Sequence, residues 1–219
     1  MQSRKVGWRN LSVVGAVFIN SLAQAQMAAD QININGQYVL AAKAEKTERV
    51  GQLLRQGAAV NSRDRLGNSP LNMASAKGNS DLVDVLLGAG ADPHLANLAG
   101  VTPLMGANFS GNAGIVKKLL LAGAKTEPTD RVKKTAATYA AANGCVPCLD
   151  ALIGAGVAVN APLDNDLTLL MWSSSYGHEP MVRYLLGQGA EKQAKDNRGL
   201  TALELARGAG HALVIAALE

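Results

Sequence analysis

From Ser69 onward the chain repeats a short theme of apolar and polar positions. A few apolar residues at helical spacing lead to a glycine, and a more strongly apolar stretch leads to a second glycine. Ser69-Pro70-Leu71-Asn72-Met73-Ala74 predicts the start of a short first helix, with a hydroxyl to cap it and proline in its first turn. Gly78 predicts its end, because glycine accepts the left-handed conformation that closes a helix. Leu82, Val83, Leu86 and Leu87 then form the apolar stripe of a second helix, which Gly90 ends. The stretches between units carry Asp, Gly and Asn, the residues of tight β-turns.

This theme recurs every 33 residues without insertion or deletion: Gly78, Gly111, Gly144, Gly177 and Gly210 share one column. Leu86-Leu87, Leu119-Leu120, Leu152-Ile153 and Leu185-Leu186 keep the same interval, as do Gly90, Gly123, Gly156 and Gly189. Leu53-Leu54 and Gly57 mark a degenerate unit before the first clear one. The period divides the chain into that unit at 36–61, repeats at about 62–94, 95–127, 128–160 and 161–193, and a C-terminal partial unit at 194–219. Helices this short are marginal alone, so stability must come from stacking neighbours into a continuous Ala/Leu core. Ala74, Ala107, Ala140, Ser173 and Ala206 are small enough to let first helices approach closely. Met73, Tyr139, Trp172 and Leu205, with Gly106 as the small member of their column, are expected to pack between repeats.

The pattern D-x-x-G-x-T-P-L-x-x-A-x-x-x-G…V-x-x-L-L-x-x-G-A resembles the ankyrin repeat. Asp64 to Ala91 and Asn97 to Ala124 fit it well. The third unit has Lys133 in place of the turn glycine and Ala136 in place of proline; the fourth has Asp166 and Leu169 there. The fifth, from Asp196, stops at Glu219 without a final loop. The resemblance implies an all-α solenoid of paired short helices joined by β-turn loops. It also implies a partner gripped by the turn tips and the exposed faces of the first helices. The stack is expected to be weakest around the third and fourth units, where the turn signals are poorest.

The N-terminus changes the picture of charge. Arg4, Lys5 and Arg9 precede an apolar run from Leu11 to Leu22 and the triplet Ala23-Gln24-Ala25, which together predict a signal peptide over 1–25. A short leader, 26–35, follows. The whole chain has a formal charge of +4, but the three basic residues of the signal peptide account for most of it, and the chain without it has +1. That gives no electrostatic case for nucleic acid or an acidic membrane. The expectation is an exported, most simply periplasmic, monomer with no membrane span after signal removal.

Candidate chemistry is sparse. His178 and His211 follow helix-ending glycines, where a turn hydrogen bond is the expected role; with His94 they form no metal site. Ser173-Ser174-Ser175 lacks the glycines of a nucleophile elbow, and no phosphate-binding loop is present. The reading is no enzyme, no metal and no cofactor. Cys145-Val146-Pro147-Cys148 lies at the start of the third unit's second helix, where a thiolate would be favoured. In an oxidising compartment such a pair more often forms a local structural disulfide; unpaired thiols and a redox or metal role remain the alternatives.

The remaining functional surface is the concave one. Phe109 and Tyr176 stand out on it, because their columns otherwise hold small or polar residues such as Ala76, Ala142 and Asn143. Arg63, Arg65, Arg131, Lys134, Asp164 and Arg198 complete the candidate partner-binding set. The turn tips change from basic to acidic along the array. The function expected is a protein-binding scaffold, in envelope or oxidative-stress defence. The alternatives are immunity to a secreted effector such as a phospholipase and, as a minor reading, thiol–disulfide exchange by Cys145 and Cys148.

Overall fold

A computed structural model describes residues 33–219; the signal peptide expected at 1–25 and most of the leader at 26–35 lie outside the described residues. The described chain is helical and contains no strand. Helix α1 covers residues 33–43 and α2 covers Thr47–Arg55. Five pairs follow: α3 (Pro70–Lys77) with α4 (Ser80–Gly88), and α5 (Pro103–Phe109) with α6 (Ala113–Leu121). Next come α7 (Ala136–Asn143) with α8 (Val146–Gly154), and α9 (Leu169–Ser175) with α10 (Glu179–Gly187). The last pair is α11 (Ala202–Ala209) with α12 (Ala212–Leu218).

Each first helix begins on a hydroxyl. Ser69, Thr102, Thr135, Thr168 and Thr201 accept from the backbone N–H three residues on, which satisfies a donor the helix itself cannot. The odd-numbered helices α3 to α11 stack on one another, and the even-numbered helices α4 to α12 form a second layer against them. Leu82, Val83 and Leu86 of α4 are buried between the layers, as are Ile115, Val116 and Leu119 of α6 and their equivalents further on. The result is one continuous core running the length of the array, into which Tyr38 of α1 is also fully buried. Removing a single buried leucine from such a core costs about 2–5 kcal/mol.

Close approach between repeats is visible at Gly106, where a Cβ would lie 3.2–3.3 Å from the backbone and Cβ of Ala76. It is clearest at Gly144, where a Cβ would lie 2.7 Å from Nδ1 of His178. That space lets His178 reach past its own turn and share a 2.8 Å hydrogen bond through Nε2 with the carbonyl of Ala142. His211 does the same with the carbonyl of Ser175 at 3.1 Å. The expected turn bond is therefore a bond between repeats. Outer helices are tied similarly, by Lys118 to Asp84 at 2.6 Å and by the Tyr184 hydroxyl to Asp150 at 2.9 Å.

Candidate functional site

The turn tips project from the loop ahead of each first helix, and one residue type fixes their shape. Asp64 Oδ1 accepts from the N–H groups of Leu66 and Asn68, at 2.9 and 2.8 Å. Asn97, Asp130 and Asp196 repeat this for the residues two and four positions on, all at 2.9–3.0 Å. Such Asx hydrogen bonds supply a turn with its own internal scaffold. Burial opposes ionisation of Asp64 and Asp196, but the donors converging on each carboxylate outweigh it and hold both below the usual carboxylate range.

Successive tips are also joined backbone to backbone. The Leu98 N–H donates to the Leu66 carbonyl, Arg131 to Ala99, and Asn197 to Asn165, at 2.9–3.0 Å and always 32 residues apart. The equivalent bond, from Asp164 to Val132, is absent. At this turn Leu163 stands where the other turns have Asp64, Asn97, Asp130 and Asp196. Its side chain offers no oxygen, and the fourth turn differs from the others at Asn165, left-handed at φ 59°; Asp166, at φ 56°, stands in the column where Gly67, Gly100 and Gly199 are also left-handed. Lys133 in the third turn is also left-handed, at φ 62°. The join between the third and fourth turns thus lacks a backbone bond that the other joins make.

On the inner helices the structure assembles side chains from three repeats. Phe109 remains 64% exposed and meets Tyr139 edge to face, with ring centres 6.2 Å apart. Lys134 Nζ lies 5.8 Å from the Tyr139 ring centre and 5.0 Å from that of Trp172, so its ammonium links the two rings by cation–π attraction. Trp172 in turn stacks on Tyr176 at 5.9 Å, and Tyr176, 51% exposed, stacks on His178 at 6.3 Å. The Tyr139 hydroxyl donates to Asp130 Oδ2 at 2.6 Å. Burial, and then the neighbouring carboxylate, push that phenol well above its ordinary pKa.

Phe109 and Tyr176 are therefore the exposed members of one ladder. Tyr139 and Trp172, expected only to pack between repeats, are its half-buried rungs. Their column with Met73 and Leu205 gave no sign of this; the link depends on Lys134 reaching the gap between them. Of the other candidates, Arg65, Arg131 and Asp164 are exposed at tips. Arg63 donates to the Ala96 carbonyl at 3.1 Å, bridging two loops. Arg198 pairs with its own turn's Asp196 at 2.6 Å and so stands partly committed.

Cys145 and Cys148 are joined by a disulfide with Cα atoms 5.3 Å apart, and Cys148 is fully buried. Cys145 occupies the N-cap column of α8, where Asn79 and Asn112 accept from the N–H of Leu82 and Ile115, both at 3.0 Å. The disulfide thus spans the same cap and third-residue positions that asparagine bridges elsewhere. Ser173 Oγ donates to the Leu169 carbonyl at 2.9 Å and Ser175 Oγ to the Trp172 carbonyl at 3.0 Å. Among the described residues, no group of three His, Cys, Asp or Glu side chains is placed to hold a metal, and no helix is long and apolar enough to cross a membrane.

Paired short helices stacked in two layers, with turn tips along one edge and aromatic side chains on the inner layer, define a repeat solenoid with an extended binding surface. The chain belongs to the ankyrin-repeat family, whose sequence pattern, described as Ankyrin repeats (3 copies), matches residues 38–130, 104–196 and 137–218. It is similar to EF0377, described as an ankyrin repeat protein, with 26% identity and a TM-score of 0.74 over 84% of this chain and 96% of that one. It is also similar to the ankyrin repeat domain of human ASB11, with 27% identity and a TM-score of 0.76 over 83% and 81% of the two chains. No curated protein matches significantly. Ankyrin repeats are generally protein–protein interaction modules and typically non-catalytic.

Proposed function

We propose that this protein is a non-catalytic binding module, acting as an exported monomer that holds another protein on its concave face. The observation that carries the reading is the ladder from Phe109 through Tyr139, Lys134 and Trp172 to Tyr176. Rigid, partly exposed rings give large contact area with little conformational entropy to lose, and a cation held between them adds direction. Arg131 and Lys133 on one side and Asp164 and Asp166 on the other frame it with both signs of charge, as suits a partner of complementary polarity. The periplasm is the compartment that matches both the expected signal peptide and a disulfide in the fold.

Within that class a periplasmic scaffold in envelope or oxidative-stress defence and an immunity protein for a secreted effector use the same surface. The test is affinity capture after crosslinking, from periplasmic extract, with the wild type and with Phe109→Ala/Tyr176→Ala. A partner held by the wild type and lost from the double variant supports the reading, and its identity separates scaffold from immunity. A partner held equally by both places the interface elsewhere. For the cysteines, the buried position of Cys148 and the cap geometry favour a structural bond over thiol exchange.

A further inference from the structure

We propose that the open seam between the third and fourth turns receives an extended polypeptide segment of the partner, bearing a carboxylate beside an aromatic or long apolar side chain. The inference rests on the concave-face reading above and adds what the partner must present and where.

Three observations converge on the seam. First, the interrupted ladder leaves the Asp164 N–H and the Val132 carbonyl without each other, and neither makes another hydrogen bond among the described residues. At the other joins these two groups meet directly. A segment of extended main chain has donors and acceptors along both edges, so it can accept from Asp164 and donate to Val132. The flanking backbone is held in left-handed conformations by three non-glycine residues, Lys133, Asn165 and Asp166. Strain of this kind, of order 1 kcal/mol per residue, gathers where a structure is shaped for binding.

Second, a cleft of about 210 Å³ lies at this point, lined by Thr138, Leu163, Leu167 and Trp172 together with the turn residues. Pockets for whole small molecules run from about 300 to 1,000 Å³, so this one suits a single large side chain. Its apolar wall and indole favour an aromatic or long aliphatic group over a polar one. Val132, 65% exposed at the rim, extends the apolar wall outward.

Third, the charge at the rim is unbalanced on one side. Arg131, Lys133 and Lys134 make no ion pair with any described carboxylate. On the opposite rim Asp164 Oδ2 accepts from Asn165 Nδ2 at 3.1 Å. An acidic residue next to the anchoring side chain therefore lies toward the third turn, away from Asp164 and Asp166.

The test uses a variant that restores the standard turn, Leu163→Asp/Asp166→Gly, with Leu163→Asp alone as a second variant in case the double change disturbs folding; circular dichroism checks both. A random-peptide display library is selected on the wild type and on each variant. The enriched peptide is then added while amide hydrogen exchange is followed. The inference expects sequences that pair an acidic residue with an aromatic or long apolar one on the wild type, enrichment at least tenfold lower on the restored turn, and exchange at the Asp164 amide slowed at least tenfold by the peptide. Equal enrichment on wild type and restored turn, an unprotected Asp164 amide, or no selection of an acidic residue beside an aromatic or long apolar one on the wild type overturns it. Those failures leave the concave-face reading to be judged separately, by whether Phe109→Ala/Tyr176→Ala loses the captured partner.

Discussion

Replacing Asp130 with alanine tests how the turn tips are built. Its carboxylate is buried and accepts three hydrogen bonds, from the Val132 and Lys134 N–H groups at 2.9 Å and from the Tyr139 hydroxyl at 2.6 Å. Val132 is open to solvent, so its N–H can turn to water at little cost. The Lys134 N–H and the Tyr139 hydroxyl are half-covered and recover less. Hydrogen bonds to a charged group contribute about 1.5–3 kcal/mol each, and solvent replacement reduces the sum, so Asp130→Ala should cost roughly 2–4 kcal/mol. For an array of this size each kcal/mol lowers the melting temperature by about 2–4 °C, which places the loss near 5–15 °C. Leu163→Ala is the matched control, because that position supplies no turn oxygen. Shortening a half-buried leucine should cost only about 1–2 kcal/mol there, less than the full core penalty. Urea and thermal unfolding followed by circular dichroism measure both. Asp130→Ala within about 0.5 kcal/mol of wild type, a change within the ordinary range for surface substitutions, would refute the reasoning, as would a larger cost for Leu163→Ala.

Other consequences are as direct. Lys133→Gly relieves a left-handed lysine and should stabilise by about 0.5–1 kcal/mol, seen as a higher urea midpoint; a lower midpoint contradicts the strain argument. Ser174 Oγ is buried with no hydrogen-bond partner among the described residues and Ala141 fills the same column one repeat earlier, so Ser174→Ala should be neutral or stabilising by up to about 1 kcal/mol. Asp64 and Asp196 have folded pKa values below their unfolded ones. The stability they add is therefore present above an unfolded pKa of about 3.9 and is lost as pH falls through the folded values. Melting followed across pH 2–6 should show the loss confined to the acid end, and flat stability there refutes it. Amide exchange should be faster at Asp164 than at Leu98, Arg131 and Asn197, whose N–H groups join neighbouring tips.

The 33-residue register carried the fold, because glycine, proline and paired leucines recur in columns that only stacked helices explain. Lys133 and Asp166 could be seen to stand where glycine belongs, and both adopt the left-handed conformation that column demands. Leu163 was equally legible, lying in the column of Asp64, Asn97, Asp130 and Asp196, yet its meaning appears only when the missing turn-to-turn bond is seen. The ladder was half legible. Phe109 and Tyr176 break polar columns, whereas Tyr139 and Trp172 share theirs with ordinary core residues. Joining them requires the reach of Lys134 across the gap between repeats, a distance that periodicity does not encode. Ser75, Asn108 and Ser174 share one column and each bury a polar atom with no hydrogen-bond partner among the described residues, which their spacing does not reveal because small polar residues break no helical pattern.

The most direct test of the central claim is the affinity of the captured partner for the wild type and for Phe109→Ala/Tyr176→Ala, both folded, measured by calorimetry or surface plasmon resonance. Interface residues of this kind cost about 2 kcal/mol or more each on truncation, so the double change, at about 4 kcal/mol, should weaken binding by several hundredfold to about a thousandfold. An affinity within about threefold of wild type, a difference under about 0.7 kcal/mol, would contradict a concave-face site centred on the ladder.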